Sequence, residues 1–254
     1  MSQVEKAMLF KSLHTQDAPL TLYNIWDAGG AKAVSEAGAK AIATGSWSVA
    51  AAHGYEDGEA IPLDFVLKII ERIAGSVDLP VSVDFEGGYA SAPEQVTENV
   101  RRVISAGAVG INFEDQTING QGLYTVADQT IRIKAVRNAA KLENMPLFIN
   151  ARTDIFLKAT KNGNHADLVD EALLRAAAYA EAGADGFFVP GLTDLALIER
   201  VAKGTPLPVN VMLGSLSSLG DVTERGIARA SLGPVPYFAA MNDLARRSSD
   251  NSIS

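Results

Sequence analysis

The sequence contains no cysteine. This absence excludes disulfide bonds, metal sites built on thiolates and a catalytic cysteine nucleophile. The chain also lacks any apolar run near the ~18 residues of a membrane-spanning helix, and residues 1–16 contain no signal-peptide core. We therefore predict a soluble, cytoplasmic protein without a membrane partner.

Basic residues are outnumbered and never clustered. The chain has 22 Lys and Arg against 30 Asp and Glu, a formal net charge of −8, and no Lys/Arg block. This balance argues against nucleic acid as a partner. With 254 residues and a hydrophobic fraction of 47%, the chain can build one large α/β core.

Strand-like and helix-like segments alternate along the chain. Helix endings of the Ala-Gly-Ala type recur at Gly38, Gly107 and Gly183, with a looser copy at Gly226, and each is followed by a strand-like segment. The pattern indicates a (β/α)8 TIM barrel of parallel strands, with residues 1–254 as a single domain. A doubly wound open sheet is the alternative, although no GxGxxG motif follows a strand.

The expected segments are as follows. Strands are predicted at 21–27, 41–44, 81–86, 110–113, 147–149, 186–189, 208–212 and 227–231. Helices are predicted at 4–13, 28–37, 65–73, 96–104, 166–182 and about 236–247. A further long helix is predicted after the loop over 116–124 and ends at about Leu142.

The stretch from Pro80 to Tyr89 is the most informative part of the sequence. Apolar residues alternate there with polar ones, so Asp84 and Glu86 are expected to share the face inside the barrel. Two carboxylates on one buried face repel each other unless a cation or a proton lies between them. This arrangement indicates a metal site.

Polar residues also end other predicted strands, where the active site of a TIM barrel lies. They are Asp27, Ser46, Glu114, Asp115, Asn150, Arg152 and Asp154. Oxygen ligands of this kind suit Mg²⁺ or Mn²⁺, and the arginine suits an anionic substrate group.

Among the histidines, His14 and His165 are expected in polar, loop-like surroundings, and His53 is expected to be structural or exposed.

Several segments jointly resemble the isocitrate lyase/phosphoenolpyruvate mutase superfamily. The Asp84-to-Tyr89 stretch resembles its D-x-D-x-G-Y-G signature, Glu114-Asp115 its E-D pair, and residues 150–154 its N-A-R-x-D segment. Residues 54–57 resemble its G-x-x-D loop, and residues 26–28 fit its first-strand region. The resemblance implies a Mg²⁺-binding barrel that cleaves or forms C–C or P–C bonds next to a carboxylate.

The resemblance also implies roles for individual residues. Asp84 would bind Mg²⁺ directly, and the waters on the metal would be held by Asp57, Glu86 and Glu114. The catalytic set would be Glu114, Arg152 and Asp57. The substrate would contact Arg152, Asn119 and the backbone of Gly45, Ser46 and Trp47. Family members commonly form homodimers or homotetramers, and the helix near 236–247 could be exchanged between subunits.

The chain departs from the lyase and mutase branches in the catalytic loop. It lacks the cysteine of the K-K-C-G-H loop, the loop after Asp115 contains no lysine, and Glu86 stands where the signature has aspartate. The leading hypothesis is a Mg²⁺-dependent C–C lyase that acts on a small 2-oxo or 2-hydroxy carboxylic acid through an enolate, by decarboxylation or retro-aldol cleavage. A phosphonomutase-like or phosphonopyruvate hydrolase-like enzyme and a non-catalytic metabolite-binding barrel are the alternatives.

Overall fold

The computed structural model describes residues 1–117, 122–159, 163–215 and 219–249. Within these ranges the strands are β1 (Leu20–Leu22), β2 (Asn24–Ile25), β3 (Ile42–Thr44), β4 (Val81–Asp84), β5 (Gly110–Glu114), β6 (Phe148–Arg152), β7 (Gly186–Phe188), β8 (Val209–Met212) and β9 (Arg229–Ser231). The helices are α1 (Gln3–Ser12), α2 (Ala28–Glu36), α3 (Ser46–Ala52), α4 (Leu63–Ala74), α5 (Pro93–Ser105), α6 (Val126–Leu142), α7 (Val169–Ala182), α8 (Leu195–Gly204), α9 (Leu219–Thr223) and α10 (Val235–Ser249).

The strands form one parallel sheet that curls into a barrel. Its order is β1-β9-β8-β7-β6-β5-β4-β3-β2. The two ends of this order, β1 and β2, are consecutive in the chain and separated by the exposed Tyr23. The sheet is therefore nearly closed, which confirms the predicted (β/α)8 barrel. The predicted single first strand over 21–27 is wrong in detail, because it consists of these two short strands.

Asn24 connects the two ends of the sheet. Its Nδ2 donates to the carbonyl oxygen of Thr44 at 2.8 Å, and its Oδ1 accepts from the amides of Leu232 and Gly233 at 3.0 and 2.9 Å. One buried side chain thus joins β3 to the turn that follows β9. These bonds satisfy backbone groups where regular pairing stops.

The repeated glycines end helices or turns, as the sequence predicts. Gly38, Gly107, Gly183 and Gly226 have φ values of 91°, 107°, 103° and 76°. This left-handed conformation suits glycine, which has no Cβ to clash with the backbone. Each glycine therefore turns the chain from the outer helical layer back into the barrel.

Several element boundaries differ from the sequence predictions. Helix α1 begins at Gln3 because Ser2 forms a capping box with Glu5. Helix α7 begins at Val169, after a 3₁₀ turn over His165–Leu168 in place of the predicted start at 166. Helix α10 covers the predicted range near 236–247 and extends it by one or two residues at each end.

Histidine 14 contradicts the expectation of a polar loop environment. It is 9% exposed and stacks on Phe148 of β6, with ring centroids 4.0 Å apart. Its Nδ1 lies 2.8 Å from the carbonyl oxygen of Phe10. Burial, with a contribution from the charge of Arg229, lowers the pKa of His14 to about 3. The residue therefore belongs to the packed interior.

Among the described residues, none of the helices combines the length and the apolarity needed to cross a membrane.

Candidate active site

A cavity of about 160 Å³ opens at the C-terminal ends of the strands. Its polar side is formed by Asn24, Ser46, Asp57, Asp84, Asn112 and Arg152. Its apolar side is formed by Trp47, Leu157, Phe188, Pro190, Met212 and Pro234. The position is the one at which active sites of (β/α)8 barrels lie.

Asp84 ends β4 on the cavity wall. Its Oδ2 accepts from the amide and the hydroxyl of Ser46, at 3.2 and 3.1 Å. Its Oδ1 lies 3.4 Å from Nδ2 of Asn112 and 3.8 Å from Nη1 of Arg152. The carboxylate is thus oriented by three neighbouring elements, β5, β6 and the start of α3.

Arg152 ends β6 and is held by two other carboxylates. Its Nε and Nη2 donate to the two oxygens of Asp154 at 2.6 and 3.0 Å, and its Nη1 lies 2.9 Å from Oε2 of Glu114. Burial alone would lower its pKa, but Glu114, Asp154 and Asp84 together raise it well above the usual value. The guanidinium is therefore a fixed cation at the cavity.

Asp115 faces away from the cavity. It is fully buried and accepts from the amide of Asp154 at 2.9 Å, from Nη1 of Arg175 at 3.0 Å and from the hydroxyl of Tyr179 at 2.9 Å. Because Asp154 in turn binds Arg152, Asp115 supports the arginine from behind. Asp115 was predicted together with the other acids at strand ends, but its role is to support the structure and not to contact a ligand.

Gly45, Ser46 and Trp47 line the cavity, as predicted. The amide of Gly45 donates to the carbonyl oxygen of Ile25 at 3.2 Å, and that of Ser46 donates to Asp84. The indole of Trp47 packs on Phe238 of α10, with centroids 4.6 Å apart. Substrate binding by the backbone of this segment stays a prediction.

Asp57 reaches the cavity from the loop between α3 and α4. Although the residue as a whole is exposed, desolvation of its carboxylate and the charge of Asp84 raise its pKa, while the nearby Ser46 hydroxyl acts in the opposite direction. The carboxyl group can therefore hold a proton more readily than an ordinary surface aspartate.

Glu86 does not continue the strand alternation from which its position was predicted. Strand β4 ends at Asp84, and Glu86 has a φ of 49° in the following turn. Its carboxylate lies beside a smaller void next to Asp84 and Tyr89 instead of the main cavity. Burial and the charges of Asp57 and Asp84 raise its pKa to about 8.

Glu114 lies behind the cavity surface. It is 5% exposed and paired with Arg152. Burial raises its pKa well above the usual value, although Arg152 acts in the opposite direction. Asn119, the remaining predicted contact, lies outside the described residues.

Asn112 and Arg229 are among the polar residues of the barrel interior that were not singled out from the sequence. Asn112 lies between Asp84 and Asn150, and its Oδ1 accepts from Nδ2 of Asn150 at 2.9 Å and from Nη2 of Arg229 at 3.2 Å. Arg229 is fully buried, and burial lowers its pKa to about 9. Both residues occupy inward positions of apolar strands, which is the signal that could have identified them.

The donor set fits a hard divalent cation held partly through water. Asp84 borders both the main cavity, which Asp57 lines, and the smaller void beside Glu86, and its charge helps to raise the pKa of both neighbours. Within the described ranges, no three His, Cys, Asp or Glu residues form a ready-made metal cluster. Mg²⁺ commonly uses one or two carboxylates and keeps several waters, so these residues fit it.

Comparisons with known proteins agree with this architecture. A family model described as phosphoenolpyruvate phosphomutase matches residues 10–251. A solved structure from Burkholderia cenocepacia J2315, provisionally described as a phosphonomutase, is 46% identical, with a TM-score of 0.95 over 99% of this chain and 100% of the other.

Two further proteins are similar at lower identity. The 2-methylisocitrate lyase of Escherichia coli K12 is 29% identical over 96% of this chain and 83% of its own length. A phosphonopyruvate hydrolase solved with oxalate and Mg²⁺ shares the fold at 21% identity, with a TM-score of 0.82 over 98% of this chain and 88% of the other.

Proposed function

The chain belongs to the phosphoenolpyruvate phosphomutase family, within the isocitrate lyase/phosphoenolpyruvate mutase superfamily, and from that premise we propose that it is a Mg²⁺-dependent lyase. Its substrate would be a small 2-oxo or 2-hydroxy carboxylic acid, cleaved at a C–C bond through an enolate. The observation that carries the proposal is the pairing of Asp84 with a partly engaged Arg152 at one cavity wall.

Arg152 can bind the carboxylate of such a substrate. Its Nε and Nη2 each donate one N–H to Asp154, and Nη1 forms an ion pair with Glu114 at 2.9 Å. A guanidinium has five N–H donors, so Nη1 and Nη2 keep N–H groups that can bind an anion in the cavity. A charge-assisted bond to a fixed guanidinium orients a carboxylate strongly. Arg152 would thus set the position of the bond that breaks.

Asp84, with Asp57 and Glu86 behind it, would hold the metal and its waters. Mg²⁺ bound there would supply Lewis-acid polarisation of the 2-oxo or 2-hydroxy group. The hydroxyl of Ser46 would keep Asp84 in place throughout, since it already donates to that carboxylate at 3.1 Å. These carboxylates would be ionised in the loaded site, because a nearby cation favours the charged form.

Asp57 is the carboxyl group best placed to move a proton. It lines the cavity, whereas Glu114 is enclosed by Arg152, and Tyr89 lies beside the smaller void. Cleavage leaves the bonding electron pair on the product enolate, and its carbon must then take up a proton. For a 2-hydroxy acid, the Asp57 carboxylate would take the proton of the 2-hydroxyl group as the C–C bond breaks. The same carboxyl group would then deliver that proton to the enolate carbon from the mouth of the cavity.

The apolar wall favours a substrate with an alkyl substituent. Trp47, Phe188 and Met212 face the polar side across the cavity. An alkyl branch directed at that wall would bury apolar surface, which is favourable, and oxaloacetate has no such branch. An alkyl-branched malate suits this wall better than oxaloacetate.

A turnover panel tests the proposal. Dimethylmalate, oxaloacetate and phosphonopyruvate are each incubated with the protein in Mg²⁺ or in EDTA, and products are identified by NMR. We expect Mg²⁺-dependent C–C cleavage, fastest for dimethylmalate, and a loss of at least roughly 10²-fold in Asp84→Asn. Efficient turnover of phosphonopyruvate alone would instead support a P–C bond enzyme, and binding without any turnover would support a metabolite-binding barrel.

A further inference from the structure

Two loops at the mouth of the barrel are joined by a reciprocal pair of glutamates. The amide of Glu59 donates to Oε2 of Glu86 at 2.7 Å, and the amide of Tyr89 donates to Oε1 of Glu59 at 2.7 Å. Each glutamate side chain thus accepts from the backbone of the other loop. We call this arrangement the reciprocal glutamate pair, Glu59 and Glu86.

The backbone at these contacts is strained. Glu59, Glu86 and Tyr89 have φ values of 64°, 49° and 58°. Among the described residues, Asn144 is the other non-glycine residue with a positive φ. Side-chain-bearing residues adopt this conformation at a cost, and it persists where surrounding bonds impose it, often at functional sites. The strain is therefore concentrated where the two loops meet.

The turn that carries Glu86 and Tyr89 is the fixed partner of the pair. Arg132 of α6 is 2% exposed, and its guanidinium donates to the carbonyl oxygens of Gly87 and of Ala90, the latter at 2.8 Å. The hydroxyl of Tyr89 lies 3.4 Å from Oε1 of Glu86. The turn is thus bound to the helical layer.

The loop that carries Glu59 is exposed over most of its length. Residues 54–58 are exposed, whereas Glu59 is half-buried. Asp57 lies in this exposed stretch, two residues before Glu59, and it lines the cavity. The bonds of Glu59 therefore connect the Asp57 loop to the fixed turn.

We propose that Glu59 is a positioning residue that holds Asp57 over the cavity through the reciprocal glutamate pair. The inference rests on the proposed function, since Asp57 is the group that Glu59 would position. The proposal also gives Glu86 a second role, because its carboxylate accepts a hydrogen bond from the backbone amide of Glu59. Removing the Glu59 side chain would leave the carboxyl group of Asp57 unchanged, but Asp57 would no longer be held in one position over the cavity.

Glu59→Asn is the informative variant. Asparagine tolerates a positive φ, as Asn144 does in this chain, but its shorter side chain does not reach the amide of Tyr89. Glu56→Asn, in the same exposed stretch, is the matched control. Hydrogen exchange of the amides of residues 54–58 is expected to accelerate at least about 10-fold in Glu59→Asn and to stay unchanged in the control.

A double-mutant cycle then separates positioning from a general structural role. Glu59→Asn is expected to lower kcat/KM by roughly 10–100-fold, but by less than about 2-fold in an Asp57→Ala background. If turnover is undetectable, the same double-mutant cycle is carried out on the Mg²⁺-dependent affinity for oxalate instead of kcat/KM. Unchanged exchange of residues 54–58 would overturn the anchoring of this loop by the Glu59 side chain, whatever the activity. Equal effects of Glu59→Asn in both backgrounds would overturn the positioning role.

Discussion

Replacing Arg152 with methionine is expected to lower the free energy of unfolding by about 3–5 kcal/mol in metal-free protein, because a buried ion-pair network would lose its cation. The side chains of Arg152, Glu114 and Asp154 are 15%, 7% and 1% exposed. Without the guanidinium, the two carboxylates would be left buried and unpaired. Denaturant unfolding in EDTA measures the effect.

The same variant is expected to lower kcat/KM by roughly 10²–10³-fold, since the substrate carboxylate would lose its charged partner. Arg152→Lys is the matched control. It retains the charge but lacks the planar fork that grips Asp154, so it should recover part of the stability and little of the activity. Wild-type stability of the methionine variant would contradict the network described for Arg152.

Asp115→Ala is the second large prediction, and its expected cost is about 3–5 kcal/mol of unfolding free energy. The carboxylate is fully buried and accepts from Arg175, Tyr179 and the amide of Asp154. With alanine at position 115, these three donors would remain buried without the acceptor that they share. Because Asp154 orients Arg152, activity should also fall under conditions in which the variant remains folded.

Glu171→Ala is the control for this prediction. Glu171 accepts from the same Arg175 at 2.9 Å, but its side chain is 51% exposed, so its loss should cost less than about 1 kcal/mol. Thermal or denaturant unfolding of both variants gives the comparison. Equal effects of the two substitutions would show that burial of Asp115 is not what makes it important.

The barrel and the central part of the site could be predicted from local sequence patterns. Helix-ending glycines and alternating strands repeat at regular intervals, so they specify the topology without knowledge of long-range contacts. Asp84 and Arg152 end strands on inward positions, and alternation places both at the cavity.

Other parts of the site depend on where strands stop and on contacts between distant loops. The alternation of apolar and polar residues placed Glu86 wrongly, because β4 ends two residues earlier. The same alternation contains the inward position of Arg229, which was not predicted as a site residue. Asp115 follows Glu114 directly and therefore faces the opposite way. The bond between Glu59 and Glu86 joins residues 27 positions apart, and no local pattern specifies it.

Calorimetric titration with oxalate, a mimic of the pyruvate enolate, tests the central claim most directly. Wild-type protein should bind oxalate at least about 10-fold more tightly in Mg²⁺ than in EDTA, because metal and anion stabilise each other in one site. Asp84→Asn should abolish that difference. Equal oxalate affinity with and without Mg²⁺ in the wild-type protein would contradict a metal-dependent enolate site at Asp84 and Arg152.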